Sequence, residues 1–279
     1  MADLQGYDLA GACLPWVALG NPGASGAGSV VVAIPGLSDG LHPLSEPGAI
    51  TLLRDVAKSA SGCRILSVSH RQPVGEATTA SLAADVAGFI EDVVGHPVVV
   101  SAHSMGGMVA QHLAASRPDL VSHLVMTATL ARPDDGFRRV LGRWQALVEQ
   151  GRWRALYADA NACSYTGSEL LRRRLLLRVT RPTTSPHLAD RHVALTRAAL
   201  AHDATDVLDQ ITCPTLVVAG GRDPVVAPSA SRELAAHIPG ARFAMLDRLA
   251  HGFAEQAPGR MTELIAEHLG LDLDLKVDA

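Results

Sequence analysis

Lysine is nearly missing from this chain of 279 residues. Of its 24 basic residues, 22 are arginine, and the two lysines are Lys58 and Lys276. Cysteine is also sparse, and Cys13, Cys63, Cys163 and Cys213 stand far apart with no C-x-x-C pair. A zinc cage or a disulfide framework needs closer spacing, so the expectation is reduced thiols in a cytoplasmic protein, with no metal site. The N-terminus has no basic stretch leading into an apolar one, which argues against a signal peptide. No apolar window of roughly 18 residues exists, so no membrane span is expected. A net charge of −4 gives no general reason to expect nucleic acid. Hydrophobic residues at 48% and charged residues at 19% exclude a disordered, collagenous or coiled-coil chain.

Short runs, most of them rich in β-branched residues, are present, bounded by turn signals, at 30–34, 64–69, 98–101, 124–128, 215–219 and 242–246. They are mostly apolar rather than alternating, as strands buried on both faces of a parallel sheet are. Helical patterns lie between them. In 79–94 the residues Leu82, Val86, Phe89, Ile90 and Val93 recur at 3–4 spacing, and 105–116, 229–237 and 259–269 read alike. This alternation predicts an α/β fold, a mostly parallel sheet covered by helices on both faces. The first 20 residues read as an antiparallel lead-in.

From about 132 to 203 no buried-strand run occurs, and helical stretches such as 136–158 and 168–179 dominate. Residues 131–200 hold 13 arginines against 6 acids, net +7, whereas the remainder is −11. The expected organisation is a core of 1–130 and 205–279 with a helical cap inserted at 131–204.

The most informative stretch is Val98-Val99-Val100-Ser101-Ala102-His103-Ser104-Met105-Gly106-Gly107. A buried strand runs into a small-x-Ser-x-Gly turn and then a helix. That order suits a nucleophile elbow, in which small residues on either side of the serine let strand and helix approach. Ser104 then needs a base and an acid that orients it, following later strands as Asp and then His. Asp223, in Gly-Gly-Arg-Asp-Pro, follows the strand at 215–219. His251, in Leu-Ala-His-Gly-Phe, follows the strand at 242–246. His112, His237 and His268 fall within helices and read as packing or surface residues. Asp134 and Asp135 read as a helix entry. His103, beside Ser104, is expected to point elsewhere, and Asp247 is too near His251 to be preferred as the acid. Oxyanion donors are expected from the backbone N–H of Met105 and, after the turn Pro35-Gly36, of Leu37.

Together these pieces resemble the α/β-hydrolase superfamily over nearly the whole chain. The resemblance implies a serine hydrolase with catalytic residues Ser104, Asp223 and His251, no cofactor, and a small-molecule substrate. The expected reaction is cleavage of a small-to-medium carboxylic ester or lactone. Alternatives on the same triad are a C–C bond hydrolase of a diketone-like substrate and a thioesterase or non-hydrolytic biosynthetic enzyme. An acyl carrier protein would then be a partner for the arginine-rich insert, and a non-catalytic small-molecule receptor ranks last. A serine nucleophile argues against dehalogenases and epoxide hydrolases, which use Asp, and the lysine scarcity argues against a lyase that relies on that residue. Two places depart from many relatives. Pro35-Gly36 stands where His-Gly is common, and the loop Ser67-Val68-Ser69-His70-Arg71-Gln72-Pro73-Val74-Gly75 is unlike the usual one. His70 and Arg71 are expected to hold that loop rather than face the pocket.

Overall fold

Valine runs too apolar to alternate build the centre of the sheet. In the computed structural model, which describes residues 4–24, 29–46, 63–180, 182 and 184–271, eight strands form one sheet. They are β1 (Gln5–Leu9), β2 (Ala12–Gly20), β3 (Val30–Ile34), β4 (Arg64–Val68), β5 (Val98–His103), β6 (Val121–Thr127), β7 (Thr215–Gly220) and β8 (Arg242–Leu246). Their order is β1-β2-β4-β3-β5-β6-β7-β8. β2 pairs antiparallel with β1 and β4, and every other pairing is parallel. The lead-in is thus the antiparallel edge of a parallel sheet. Lys58 and Lys276 lie outside the described residues.

Side chains leave a strand alternately, so a continuous run must be covered twice. Leu124 and Met126 of β6 pack into the main core, whereas Val125 joins Leu216 and Val218 of β7 on the other face. The main core also holds residues of α1 (Thr79–Phe89) and α2 (Met105–Ser116). On the other face Phe253, Met261 and Leu264 cover the sheet. They come from α8 (Phe253–Gln256) and α9 (Pro258–Leu269). The intervening helix α7 is Pro228–His237.

Among the described residues, four α-helices lie between β6 and β7: α3 (Asp135–Glu149), α4 (Trp153–Ser164), α5 (Gly167–Val179) and α6 (Pro186–Leu200). α3 starts where Asp134 accepts the N–H of Phe137 at 2.7 Å, the helix-entry role read from its sequence. It buries Phe137, Val140, Leu141, Trp144 and Val148 along one stripe. The single helix expected over 136–158 is instead two. The chain turns at Gly151, whose φ of +65° is a left-handed conformation that suits glycine. α5 differs from the others because none of its residues is buried.

One close approach fixes the centre of the fold. A methyl group on Gly106, in the first turn of α2, would sit 2.4 Å from the Ile34 carbonyl oxygen and 2.7 Å from that of Pro35. Both are backbone atoms and cannot rotate away. Gly106→Ala is therefore expected to lower stability by about 1–3 kcal/mol. A urea unfolding midpoint equal to that of the wild type would contradict this packing.

Candidate active site

Ser104 is forced into the sharp turn between β5 and α2. Its φ of 54° and ψ of −118° lie in a region that residues with a Cβ seldom occupy. The strain is held in place by a Ser104 N–H donated to the Thr127 carbonyl at 2.8 Å and by the contact at Gly106. Asp223 lies just past β7. Its Oδ1 accepts the N–H groups of Val225 at 2.8 Å and Val226 at 2.9 Å, which orients the carboxylate. His251 follows β8. Its backbone N–H reaches the Cys163 carbonyl at 3.2 Å, and that of Gly252 reaches the Ser164 carbonyl at 2.7 Å. The end of α4 thus holds the histidine loop by two backbone hydrogen bonds.

These three side chains meet. His251 Nδ1 is 2.7 Å from Asp223 Oδ2, and His251 Nε2 is 3.0 Å from Ser104 Oγ. Asp223 is 6% exposed, and Ser104 and His251 are each 7% exposed. A carboxylate only accepts, so the proton sits on Nδ1 and Nε2 is a free acceptor facing the serine hydroxyl. Met105 begins α2 and Leu37 begins a 3₁₀ turn, Leu37–Gly40. The first N–H groups of a helix have no partner within it, so neither N–H is used by its own turn. A methyl group on Gly36 would lie 3.2 Å from Ser104 Cβ, which puts this turn against the serine.

His103, expected to point elsewhere, instead lies beside the ring of His251. Its Nδ1 is 3.0 Å from Thr127 Oγ1, and its ring lies 5.1 Å from that of His251. Arg71 makes an ion pair with Asp85 at 2.5 Å, which holds the loop, and the backbone N–H of His70 donates to Asp39 Oδ2 at 3.0 Å. A surface cavity of about 570 Å³ on the insert, around Arg152, Trp153, Arg154 and Pro182, contains none of the candidate residues. Sequence reasoning missed the contacts from the insert. One signal was present: Arg191 and His192 interrupt the apolar spacing of Leu188, Leu195 and Ala198 on the buried face of α6.

Four histidines carry a pH signature, of which His70, His192 and His202 are buried and His103 is partly so. Burial, opposed or assisted by neighbours, pushes the imidazoles of His70 and His192 down to about 4, and those of His103 and His202 down to about 3, from an ordinary 6.5. Between about 4 and 6.5 the unfolded chain binds protons that the folded chain does not. Stability therefore rises with pH across that window, by up to about 1.4 kcal/mol per unit for each histidine. Urea midpoints should fall markedly from pH 7 to pH 5. Equal midpoints would show that these imidazoles are not held neutral.

A mostly parallel sheet with a strained serine between its strand and helix, followed by Asp and His beyond later strands, is the arrangement of α/β-hydrolases. The chain belongs to the serine aminopeptidase (S33) family, whose model matches residues 69–256. A pimeloyl-[acyl-carrier protein] methyl ester esterase of Neisseria meningitidis serogroup C / serotype 2a is 31% identical over 170 residues, 56% of this chain and 62% of that protein. The match thus spans less than two thirds of that relative's length. The enol-lactonase of Burkholderia xenovorans LB400 superposes with a TM-score of 0.80 at 21% identity, over 95% of this chain and all of that one. A thermophilic esterase of Thermogutta terrifontis superposes with a TM-score of 0.71 at 22% identity, over 93% of each. At these identities the two solved structures speak for the fold.

Proposed function

We propose that this chain is a serine hydrolase of a carboxylic ester or lactone, with 131–204 as a cap over its site. The observation that carries this reading is the relay from Ser104 Oγ through His251 to Asp223, at 3.0 and 2.7 Å. His251 Nε2 takes the hydroxyl proton as Ser104 Oγ bonds to the acyl carbon. Asp223 stabilises the imidazolium that forms. The carbonyl oxygen becomes an oxyanion held by the N–H groups of Leu37 and Met105, each donor contributing on the order of 3 kcal/mol. The tetrahedral intermediate collapses, the C–O bond to the leaving group breaks, and that group leaves with the proton from His251. Water, deprotonated by His251, then releases the acid and restores Ser104. The test is turnover of p-nitrophenyl acyl esters of increasing length, with labelling of Ser104 by a fluorophosphonate. A protein that neither labels nor turns over any ester defeats the reading. Cleavage of aminoacyl p-nitroanilides or of a vinylogous diketone in preference to esters would move the substrate to a peptide or a C–C bond.

One surface favours a carrier-bound acyl group. On α5, Leu171, Leu175 and Val179 form an i, i+4, i+8 stripe that is 59%, 50% and 82% exposed. Arg172, Arg174 and Arg178 flank it, all solvent-exposed. This face fits an acidic helix with an apolar ridge, and the Neisseria relative is named for an ester carried by acyl carrier protein. Charge reversal of Arg174 and Arg178 to Glu should weaken turnover of an acyl-carrier ester and spare the free ester. Equal loss on both would defeat the carrier reading.

A further inference from the structure

We infer that Arg191, on helix α6 of the insert, is a positioning residue for the oxyanion turn at 35–40. The inference rests on the serine-hydrolase reading and adds a part of the insert to its machinery.

The geometry runs as one buried network. Asp39 lies in the same 3₁₀ turn as Leu37 and is 4% exposed. Its Oδ1 accepts the Ser69 hydroxyl at 2.5 Å, and its Oδ2 accepts the His70 N–H at 3.0 Å and Arg191 Nη2. Arg191, also 4% exposed, donates further from Nε to the Asp39 carbonyl at 3.3 Å. Its Nη1 reaches the Arg71 carbonyl at 2.6 Å, and its Nη2 the His70 carbonyl at 2.9 Å. One guanidinium therefore clamps the oxyanion turn to the loop after β4, using its rigid fork. α6 also comes very close here. A methyl group on Gly40 would lie 2.9 Å from His192 Cα, so the turn's last residue must be glycine for the helix to seat.

A charge pair this deep is a poor choice for stability alone, since apolar residues of similar volume would do as well or better. It gives direction instead. The Asp39 carboxylate is held from three sides, by Ser69, His70 and Arg191, and it stands two residues from the N–H that would face the oxyanion. The clamp also makes the turn's geometry depend on the seating of α6. An insert that lifts away would carry the guanidinium with it and leave the oxyanion turn without its anchor.

The experiment compares wild type with Arg191→Met, Arg191→Lys and Asp39→Asn, each checked for folding by circular dichroism and urea unfolding. Kinetics use a p-nitrophenyl ester over a pH range. Inhibition uses a trifluoromethyl ketone, whose carbonyl carbon bonds to Ser104 Oγ as His251 takes the proton, leaving a tetrahedral oxyanion. For Arg191→Met, kcat should fall on the order of 10²-fold and the inhibitor should weaken by a similar factor, as when an oxyanion donor is lost. KM should stay within about threefold, because ground-state binding is untouched. The pH profile of kcat should keep its wild-type shape. Arg191→Lys, which keeps the charge without the fork, should recover only part of the loss, and Asp39→Asn should lose activity in the same way. If Arg191→Met does not fold, the Lys and Asn variants carry the comparison. An unchanged kcat in folded variants overturns the inference while leaving the hydrolase reading intact. So does a rise in KM at constant kcat, which would make Arg191 a substrate contact. A wild type that neither labels nor turns over esters overturns the hydrolase reading itself.

Discussion

Replacing Ser104 with alanine is expected to lower kcat toward a p-nitrophenyl ester by about a million-fold, with the fold intact. The two halves of that statement have separate causes. The variant has no oxygen to attack the acyl carbon, so what remains comes from binding and from the oxyanion donors proposed at Leu37 and Met105. The fold survives because alanine keeps the Cβ, and the strain at φ 54° is carried by the backbone in both proteins. Ser104 N–H still donates to the Thr127 carbonyl, and His251 still has Asp223 as partner. The lost hydroxyl contact to His251 should change stability by only about 1 kcal/mol. Steady-state kinetics, fluorophosphonate labelling and urea unfolding on the same preparation check all three points. Near-wild-type turnover would mean that the chemistry runs elsewhere.

What could be read from the sequence and what could not follow from the range of the forces involved. β3 and α2 begin and end at their expected residues because a β-branched run, or a Gly-Gly after a serine, is a local instruction, whereas β8 has the expected bounds without any β-branched residue and lies half-exposed at the sheet edge rather than buried on both faces. The grouping of Ser104, Asp223 and His251 was also readable, since each follows a strand whose place in a parallel sheet is set by its neighbours. Gly151 divides the helical stretch at 136–158, because a single glycine inside an apolar helical pattern does not announce the left-handed turn it takes in the fold. α5 shows the reverse failure. Its leucines repeat as a buried face would, yet Leu171, Leu175 and Leu176 remain outward. Periodicity reports that a face is apolar, not that something covers it. The Asp39–Arg191 pair joins residues 152 apart, and no local pattern encodes a partner at that distance. Arg191 could be seen only as an oddity on an apolar helix face.

The second large effect is expected at Asp223, where asparagine differs from the native residue by one atom. The carboxylate Oδ1 accepts the N–H groups of Val225 and Val226, and Oδ2 faces His251 Nδ1 at 2.7 Å. An asparagine must keep its only oxygen toward the two N–H donors, because turning its NH₂ there would set donors against donors. The NH₂ therefore points at His251 and requires Nδ1 to be an acceptor. The ring proton then moves to Nε2, where it faces Ser104 Oγ and removes the base. Asp223→Asn should thus lower kcat by about 10⁴-fold while leaving KM and the fold nearly unchanged. The Val225 and Val226 contacts make this loss larger than a lost charge alone would, since they forbid the flipped amide. Asp223→Ala is the informative comparison, because without an amide to dictate the tautomer His251 can keep a bare Nε2 for part of the time. Alanine should therefore retain more activity than asparagine. The reverse order in kcat, measured at the same pH, would show that Asp223 acts by charge alone and that its two backbone contacts do not set the tautomer.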